Sequence, residues 1–135
     1  MPSPFETPAS RPPSAPAPAV WQREVDQTTC VIAVEGELDL STAPRLKWML
    51  LDALQGAYLQ VALDLSLTTF MDSTALGVLV AVRRKLDPAQ RLAIACPRAD
   101  VLKIFEFAGV DAAFAIFPTL DEALADVRGH AAPAG

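Results

Sequence analysis

Along the chain, segments in which apolar residues recur at the spacing typical of β-strands are followed by segments with the spacing typical of α-helices. Two strand-like runs, at residues 20–25 and 30–34, enclose a polar turn, and this arrangement predicts a β-hairpin. Three further strand-like runs cover residues 61–65, 91–96 and 113–117. Each of them is followed by a stretch long enough to form a helix. The predicted order is β-β-α-β-α-β-α-β-α, which requires parallel βαβ units and an antiparallel strand near the start of the sheet.

Local signals indicate where strands and helices begin or end. Gly36 predicts a break in the second strand. The segment Ser41-Thr42-Ala43-Pro44 predicts a helix start with a hydroxyl cap and a proline in the first turn. Thr119 and Glu122 have the spacing of a capping box, so the last helix is expected to begin there.

The apolar residues of the 61–65 run fall on alternate positions, so helices are expected to pack mainly on one face of the sheet. With 135 residues, 52% of them hydrophobic, the chain is long enough for one core. We predict one α/β domain over residues 20–128, with a mixed sheet of four to five strands and about four helices. Residues 1–19 hold seven of the twelve prolines and are predicted to be a disordered tail. A disordered C-terminal tail is predicted over residues 129–135.

Composition narrows the classes of function. The net charge is −5 and basic residues cluster only at 83–85, which argues against a nucleic-acid partner. The proline-rich start lacks the features of a signal peptide, and no apolar run reaches the length of a membrane helix. A cytoplasmic protein without membrane insertion is therefore expected. Cys30 and Cys96 lie in separate apolar runs and are predicted to be buried, reduced thiols.

The polar triplet Asp72-Ser73-Thr74 stands where a strand-like run ends and an apolar helix begins. The first N–H groups of a helix lack partners within it and carry partial positive charge, so this turn favours a side-chain oxygen or a phosphate. Asp, Ser and Thr are also the residues that most often cap helices. The triplet alone therefore indicates either an ordinary cap or a functional site.

No catalytic centre is apparent in the sequence. A nucleophilic serine needs a base within hydrogen-bond reach, and the one histidine is His130, near the C-terminus. Glycine-rich phosphate loops, the GxSxG elbow and the HExxH motif are absent. Asp39 and Asp72 could form a carboxylate pair or a metal site, but a third ligand is lacking and solvated loop residues are the simpler interpretation. No catalytic residue, metal or cofactor is predicted.

Six segments are informative when they are taken together. They are Gly36-Glu37-Leu38-Asp39, Ser41-Thr42-Ala43-Pro44, Val61-Ala62-Leu63-Asp64-Leu65, Phe70-Met71-Asp72-Ser73-Thr74-Ala75-Leu76-Gly77, Phe105-Glu106-Phe107-Ala108-Gly109-Val110 and Asp121-Glu122-Ala123-Leu124. Together they resemble the STAS domain, which comprises bacterial anti-sigma factor antagonists and the cytoplasmic domains of sulfate transporters. The resemblance extends from about Val20 to Arg128. Ala75 departs from it, because many antagonists have glycine at that position.

The resemblance implies a phosphorylation switch. In stand-alone members, the serine after the motif's aspartate, here Ser73, is phosphorylated by a partner that is both anti-sigma factor and serine kinase. The unphosphorylated protein binds that partner and frees the sigma factor, and a phosphoserine phosphatase restores this form. The resemblance also implies that Asp39 lies near this serine, while Thr74 is assigned to helix capping. The implied partner-binding residues are Asp39, Asp72, Ser73, Thr74, Leu76 and Gly77.

Two other functions remain open. A stand-alone STAS subunit of a membrane transporter, such as the accessory protein of a lipid ABC transporter, would dock on an ATPase without needing to be phosphorylated. A small-ligand or nucleotide-binding module would use the helix start at Asp72 as an anion site. The protein is expected to be a monomer or a weak dimer formed through exposed strand edges.

Overall fold

The computed structural model of the protein describes residues 20–131, with side chains described through residue 129. Within this part, five strands and four helices follow one another in the predicted order. They are β1 (Val20–Asp26), β2 (Thr29–Leu38), α1 (Ala43–Gln55), β3 (Gln60–Met71), α2 (Ser73–Arg84), β4 (Arg91–Ala95), α3 (Ala99–Phe107), β5 (Ala115–Phe117) and α4 (Leu120–Ala131). A single 3₁₀ turn at Asp111–Ala113 precedes β5.

The five strands form one mixed sheet in the order β1-β2-β3-β4-β5. β1 runs antiparallel to β2, which confirms the predicted hairpin, and every other neighbouring pair is parallel. Because parallel strands run in the same direction, β2 and β3 end at the same edge of the sheet. The predicted α/β fold with a mixed sheet is confirmed.

The larger core lies between one face of the sheet and helices α1, α2 and α3. Ile32 and Leu63 point into it and are fully buried. Burial of a side chain such as Leu63 contributes roughly 1.5–3 kcal/mol before the entropy of ordering is subtracted. Consecutive strand residues point to opposite faces, so Ala62 faces a second, smaller core that Val127 of α4 covers. Three helices thus share one face, which confirms the predicted packing.

Gly36 lies inside β2 rather than at its end, so the predicted break in this strand is wrong. Gly36 has a φ angle of +84°, and the pairing of β2 with β3 shifts in register between Gly36 and Glu37. Glycine accommodates such an irregularity at little cost, and the ladder resumes beyond it. As a result, Leu38 pairs with Met71 and the two strands end side by side.

The two cysteines are buried and unpaired, as predicted. Burial raises the pKa of the Cys30 thiol to about 12, so this thiol stays protonated and unreactive at neutral pH. Both cysteines therefore contribute to packing.

The last helix extends further than the sequence predicts. α4 continues to Ala131, three residues beyond the expected end of the domain at residue 128. The predicted N-terminal tail, residues 1–19, and residues 132–135 lie outside the described residues. None of the helices within residues 20–131 is long and apolar enough to cross a membrane.

Candidate functional site

The ends of β2 and β3 bring together the two acidic residues singled out in the sequence. The backbone N–H of Asp72 donates a hydrogen bond to the carbonyl of Leu38 at 3.1 Å. Leu38 and Met71 form the last pair of the ladder, and Asp39 and Asp72 are the residues that follow them. The two carboxylates therefore leave neighbouring strands at the same edge of the sheet.

Asp72 is the N-cap of α2. Its backbone is extended, and its carboxylate accepts a hydrogen bond from the N–H of Ala75 at 3.0 Å. Its carbonyl accepts the N–H of Leu76 at 3.2 Å, which is the first turn of the helix. The side chain thus satisfies one of the helix donors that would otherwise lack a partner. The assignment of Thr74 as the cap is wrong, because Asp72 occupies that position.

Ser73 is the first residue of α2, and its side chain is exposed. Within the described residues, no hydrogen bond engages its hydroxyl, and Thr74 beside it is also exposed. A free hydroxyl at the positive end of a helix dipole is accessible to a phosphoryl donor, and the local field favours the charge of a phosphate. The site is therefore chemically suited to reversible modification of Ser73.

Asp39 organises the loop that precedes α1. Its Oδ1 atom accepts hydrogen bonds from the Ser41 hydroxyl at 2.7 Å and from the Ser41 N–H at 3.0 Å. A third, longer bond comes from the N–H of Thr42 at 3.3 Å. These bonds, above all the one from the Ser41 hydroxyl, lower the pKa of Asp39. The loop therefore carries a negative charge at neutral pH, at the edge of the sheet that also carries Ser73.

The side chain of Thr42 closes this loop instead of capping α1. Its hydroxyl accepts a hydrogen bond from the N–H of Asp39 at 2.9 Å and donates one to the carbonyl of Glu37 at 2.9 Å. Thr42 does hold the N-cap position, and Pro44 lies in the first turn, as predicted. The predicted cap hydrogen bond is wrong, because the hydroxyl is already engaged by the strand end that precedes it.

An apolar depression of about 440 Å³, here called the α2–α3 groove, begins at Ser73. Asp72 is the one charged residue among those that line it. Phe70 is 48% exposed and Phe107 is 84% exposed, whereas Leu76 is buried in its floor. The lining residues are Phe70, Met71, Asp72, Ser73, Leu76, Ile104, Phe107 and Ala108.

The contribution of α3 to this groove was not predicted from the sequence. The buried residues of α3 are Val101 and Phe105, and Phe107 lies out of phase with them. A large aromatic residue outside the apolar stripe of a helix was the available signal. Leu76 and Gly77, which the sequence assigned to the site, lie on the first turns of α2, where Leu76 is buried and Gly77 is exposed.

A metal site does not form around the paired carboxylates. Among the described residues, no group of three His, Cys, Asp or Glu side chains is placed to hold a metal ion. The carboxylates of Asp39 and Asp72 are each engaged in the hydrogen bonds of their own turns.

Known proteins resemble this chain in both sequence and structure. The anti-sigma-F factor antagonist RsfB of Mycobacterium tuberculosis is 28% identical over 99 residues, which cover 73% of this chain and 81% of RsfB. The anti-sigma factor antagonist SpoIIAA in its unphosphorylated form is 30% identical, with a TM-score of 0.70 over 82% of this chain and 97% of that chain. The phosphorylated form of SpoIIAA from Bacillus is 28% identical, with a TM-score of 0.63 over 82% of this chain and 100% of that chain.

The family model of the STAS domain matches residues 20–123. This match includes the whole sheet, the Asp39 loop and the start of α2 with Ser73. The protein therefore belongs to the STAS domain family.

Proposed function

We propose that this protein is an anti-sigma factor antagonist that regulates transcription by partner switching in the cytoplasm. In its unphosphorylated form it binds an anti-sigma factor that has serine kinase activity, and phosphorylation of Ser73 releases it. A phosphoserine phosphatase returns it to the binding form. The observation that carries this proposal is the exposed Ser73 hydroxyl at the start of α2. SpoIIAA, which this chain resembles, is known in an unphosphorylated and a phosphorylated form.

The surroundings of Ser73 explain why a phosphate would act on binding and leave the fold intact. The phosphate would add about −1.5 to −2 charges at the N-terminus of α2, where the helix dipole favours negative charge. Ser73 is exposed, so the added bulk would not enter the core. A partner docked against the neutral hydroxyl would instead meet a bulky, hydrated dianion next to Asp72. The protein is thus a regulatory protein rather than an enzyme, and the kinase supplies the chemistry.

The partner-binding surface that we propose comprises Asp39, Asp72, Ser73, Thr74, Leu76 and Gly77. Gly77 supports this choice, because a Cβ atom placed there would meet no atom within 4 Å beyond the backbone of its own helix turn and its chain neighbours. Glycine inside a helix costs about 1 kcal/mol relative to alanine, and packing within this fold does not require it. Close approach of a partner backbone would account for its presence.

The test uses the full-length protein purified from its own host. Intact-mass analysis and peptide mapping, before and after phosphatase treatment, should locate a removable phosphate on Ser73. A matched Ser73→Ala variant, used as bait, should retain the anti-sigma factor and should not be phosphorylated when that purified partner and ATP are added. Phosphate on another residue, or persistent absence of phosphate together with binding to a transporter ATPase, would contradict the proposal. The latter result would favour the transporter subunit.

A further inference from the structure

We propose that the α2–α3 groove is a second contact for the anti-sigma partner and receives an apolar side chain of that partner flanked by a basic residue. This inference rests on the proposed function, and it assigns the chemistry of the partner at a surface that includes α3. Three observations support it: Phe107 is exposed, the floor of the groove beside Ser73 is apolar, and the Ser73 end of the groove is acidic.

Phe107 has no role in the core that would account for its size. It is the last residue of α3, and its side chain is 84% exposed, while its neighbour Phe105 is fully buried. Phe70 is 48% exposed and lies two residues before the N-cap of α2. Two exposed aromatic rings therefore flank a groove with a buried apolar floor. Such rings, next to an apolar depression, are typical of the anchoring sites of protein interfaces.

The charges around the groove indicate what kind of occupant fits it. Asp72 lies at the Ser73 end of the groove, and the adjoining loop carries Asp39, whereas the exposed Lys103 and Glu106 of α3, close to Phe107, offset each other. The basic cluster at 83–85 belongs to the opposite end of α2, about 16 Å away at 1.5 Å per residue. An apolar side chain accompanied by a cation on the Ser73 side would complement both the apolar floor and the acidic Asp72 end.

The same charges argue against other occupants. A second copy of this chain would have to approach against the repulsion between two net charges of −5. An anionic lipid surface would be repelled for the same reason. The partner that approaches Ser73 must come within a few ångströms of the groove, because Ser73 is part of its lining. A single partner can therefore contact both.

The position of Phe107 predicts how the contact influences phosphorylation. Phe107 belongs to α3 and takes no part in phosphoryl transfer at the Ser73 hydroxyl. Loss of its ring should therefore weaken binding of the kinase without changing the chemical step. In kinetic terms, KM for the antagonist should rise while kcat stays the same.

The experiment compares the wild-type protein with Phe107→Ala, using the purified anti-sigma factor as the probe, with and without Mg-ATP. We expect Kd and KM to rise at least tenfold, with kcat unchanged. Phe107→Leu should restore most of the affinity, because it keeps an apolar side chain. Leu59→Ala is the matched control, since Leu59 is 40% exposed and directly precedes β3, at the end of the strand opposite to Ser73. Circular dichroism should show that every variant is folded.

The outcomes separate this inference from the proposed function. If the wild-type protein is phosphorylated on Ser73 and Phe107→Ala has the same Kd and KM, the groove is not an anchor and the switch still stands. A fall in kcat at constant KM would also overturn the inference. A wild-type dimer that Phe107→Ala dissociates, with partner affinity unchanged, would assign the groove to self-association. If the wild-type protein neither binds the anti-sigma factor nor is phosphorylated by it, the proposed function itself fails.

Discussion

The N–H of Asp72 donates a hydrogen bond to the carbonyl of Leu38 at 3.1 Å, and this bond joins the end of β3 to the end of β2. It extends the parallel ladder to the edge where α2 begins. The loop that carries Asp39 and the turn that carries Ser73 therefore begin at adjacent strand ends. The geometry of the candidate site thus depends on backbone pairing between two strands.

Replacement of Ser73 by aspartate should keep the fold and abolish partner binding. A carboxylate at the start of α2 is compatible with the helix dipole, and the side chain is exposed. Against a partner that docks on a hydroxyl, the charge should weaken binding at least a hundredfold, or about 2.8 kcal/mol. Titration calorimetry with the anti-sigma factor would measure this loss. Ser73→Ala should bind like the wild type, and an intact complex with Ser73→Asp would contradict the prediction.

Removal of the Asp72 side chain should destabilise the protein through α2. Its carboxylate accepts the hydrogen bond from the Ala75 N–H, so Asp72→Ala should lower the free energy of unfolding by about 1 kcal/mol. Urea denaturation monitored by circular dichroism would measure the change. Asp72→Asn keeps an acceptor at the cap and should lose only a few tenths of a kcal/mol. Equal losses in the two variants would mean that the charge, rather than the cap, stabilises the helix.

Gly77→Ala should stabilise the fold and weaken binding of the partner. Beyond the backbone of its own helix turn and its chain neighbours, no atom lies within 4 Å of the added Cβ, and alanine is favoured over glycine in a helix by about 1 kcal/mol. The gain would appear as a higher urea midpoint, and the weaker binding as a larger Kd.

Gly36→Ala should have the opposite effect on stability to Gly77→Ala. Gly36 has a φ angle of +84°, a conformation that costs an L-residue with a side chain roughly 1–2 kcal/mol. The same substitution should therefore destabilise the protein at Gly36. A gain in stability at both glycines would contradict the backbone argument.

The charge of Asp39 should give the protein an acid-sensitive contribution to stability. Hydrogen bonds from Ser41 lower the pKa of Asp39 below its ordinary value of 3.8. A carboxylate whose pKa is lower in the folded state stabilises that state at pH values above the ordinary pKa. This contribution should be lost as the pH falls through the lowered pKa, below about 4.

Urea denaturation of the wild type and Asp39→Asn at several pH values would measure this effect. The stability advantage of the wild type should be constant between pH 5 and 7 and should shrink below about pH 4. The other acidic residues with lowered pKa values, Asp26 and Asp100, are present in both proteins and should cancel in the difference. A difference that does not change with pH would contradict the prediction.

Much of the fold could be predicted because its signals are local. The predicted helix start at Thr119 is confirmed, and half of the capping box forms: the Thr119 hydroxyl accepts the Glu122 N–H at 3.1 Å, while the Glu122 carboxylate accepts the Thr119 hydroxyl at 2.9 Å in place of the backbone N–H that a full capping box uses. The hairpin and the order of strands and helices also followed from periodicity and turn residues. The predicted strand break at Gly36 was wrong, because a glycine can mark a β-bulge as readily as a strand end. Only the pairing of β2 with β3 distinguishes the two.

By itself, the sequence determined the order of strands and helices, the helix start at Asp72-Ser73 and the resemblance to the STAS family. These features depend on residues within a few positions of one another. The tertiary structure decided the pairing that places Asp39 beside Asp72, the engagement of Thr42 by its own loop and the α2–α3 groove with Phe107. Each of these arises from packing between segments distant in the chain, where strand register and helix placement determine which side chains meet.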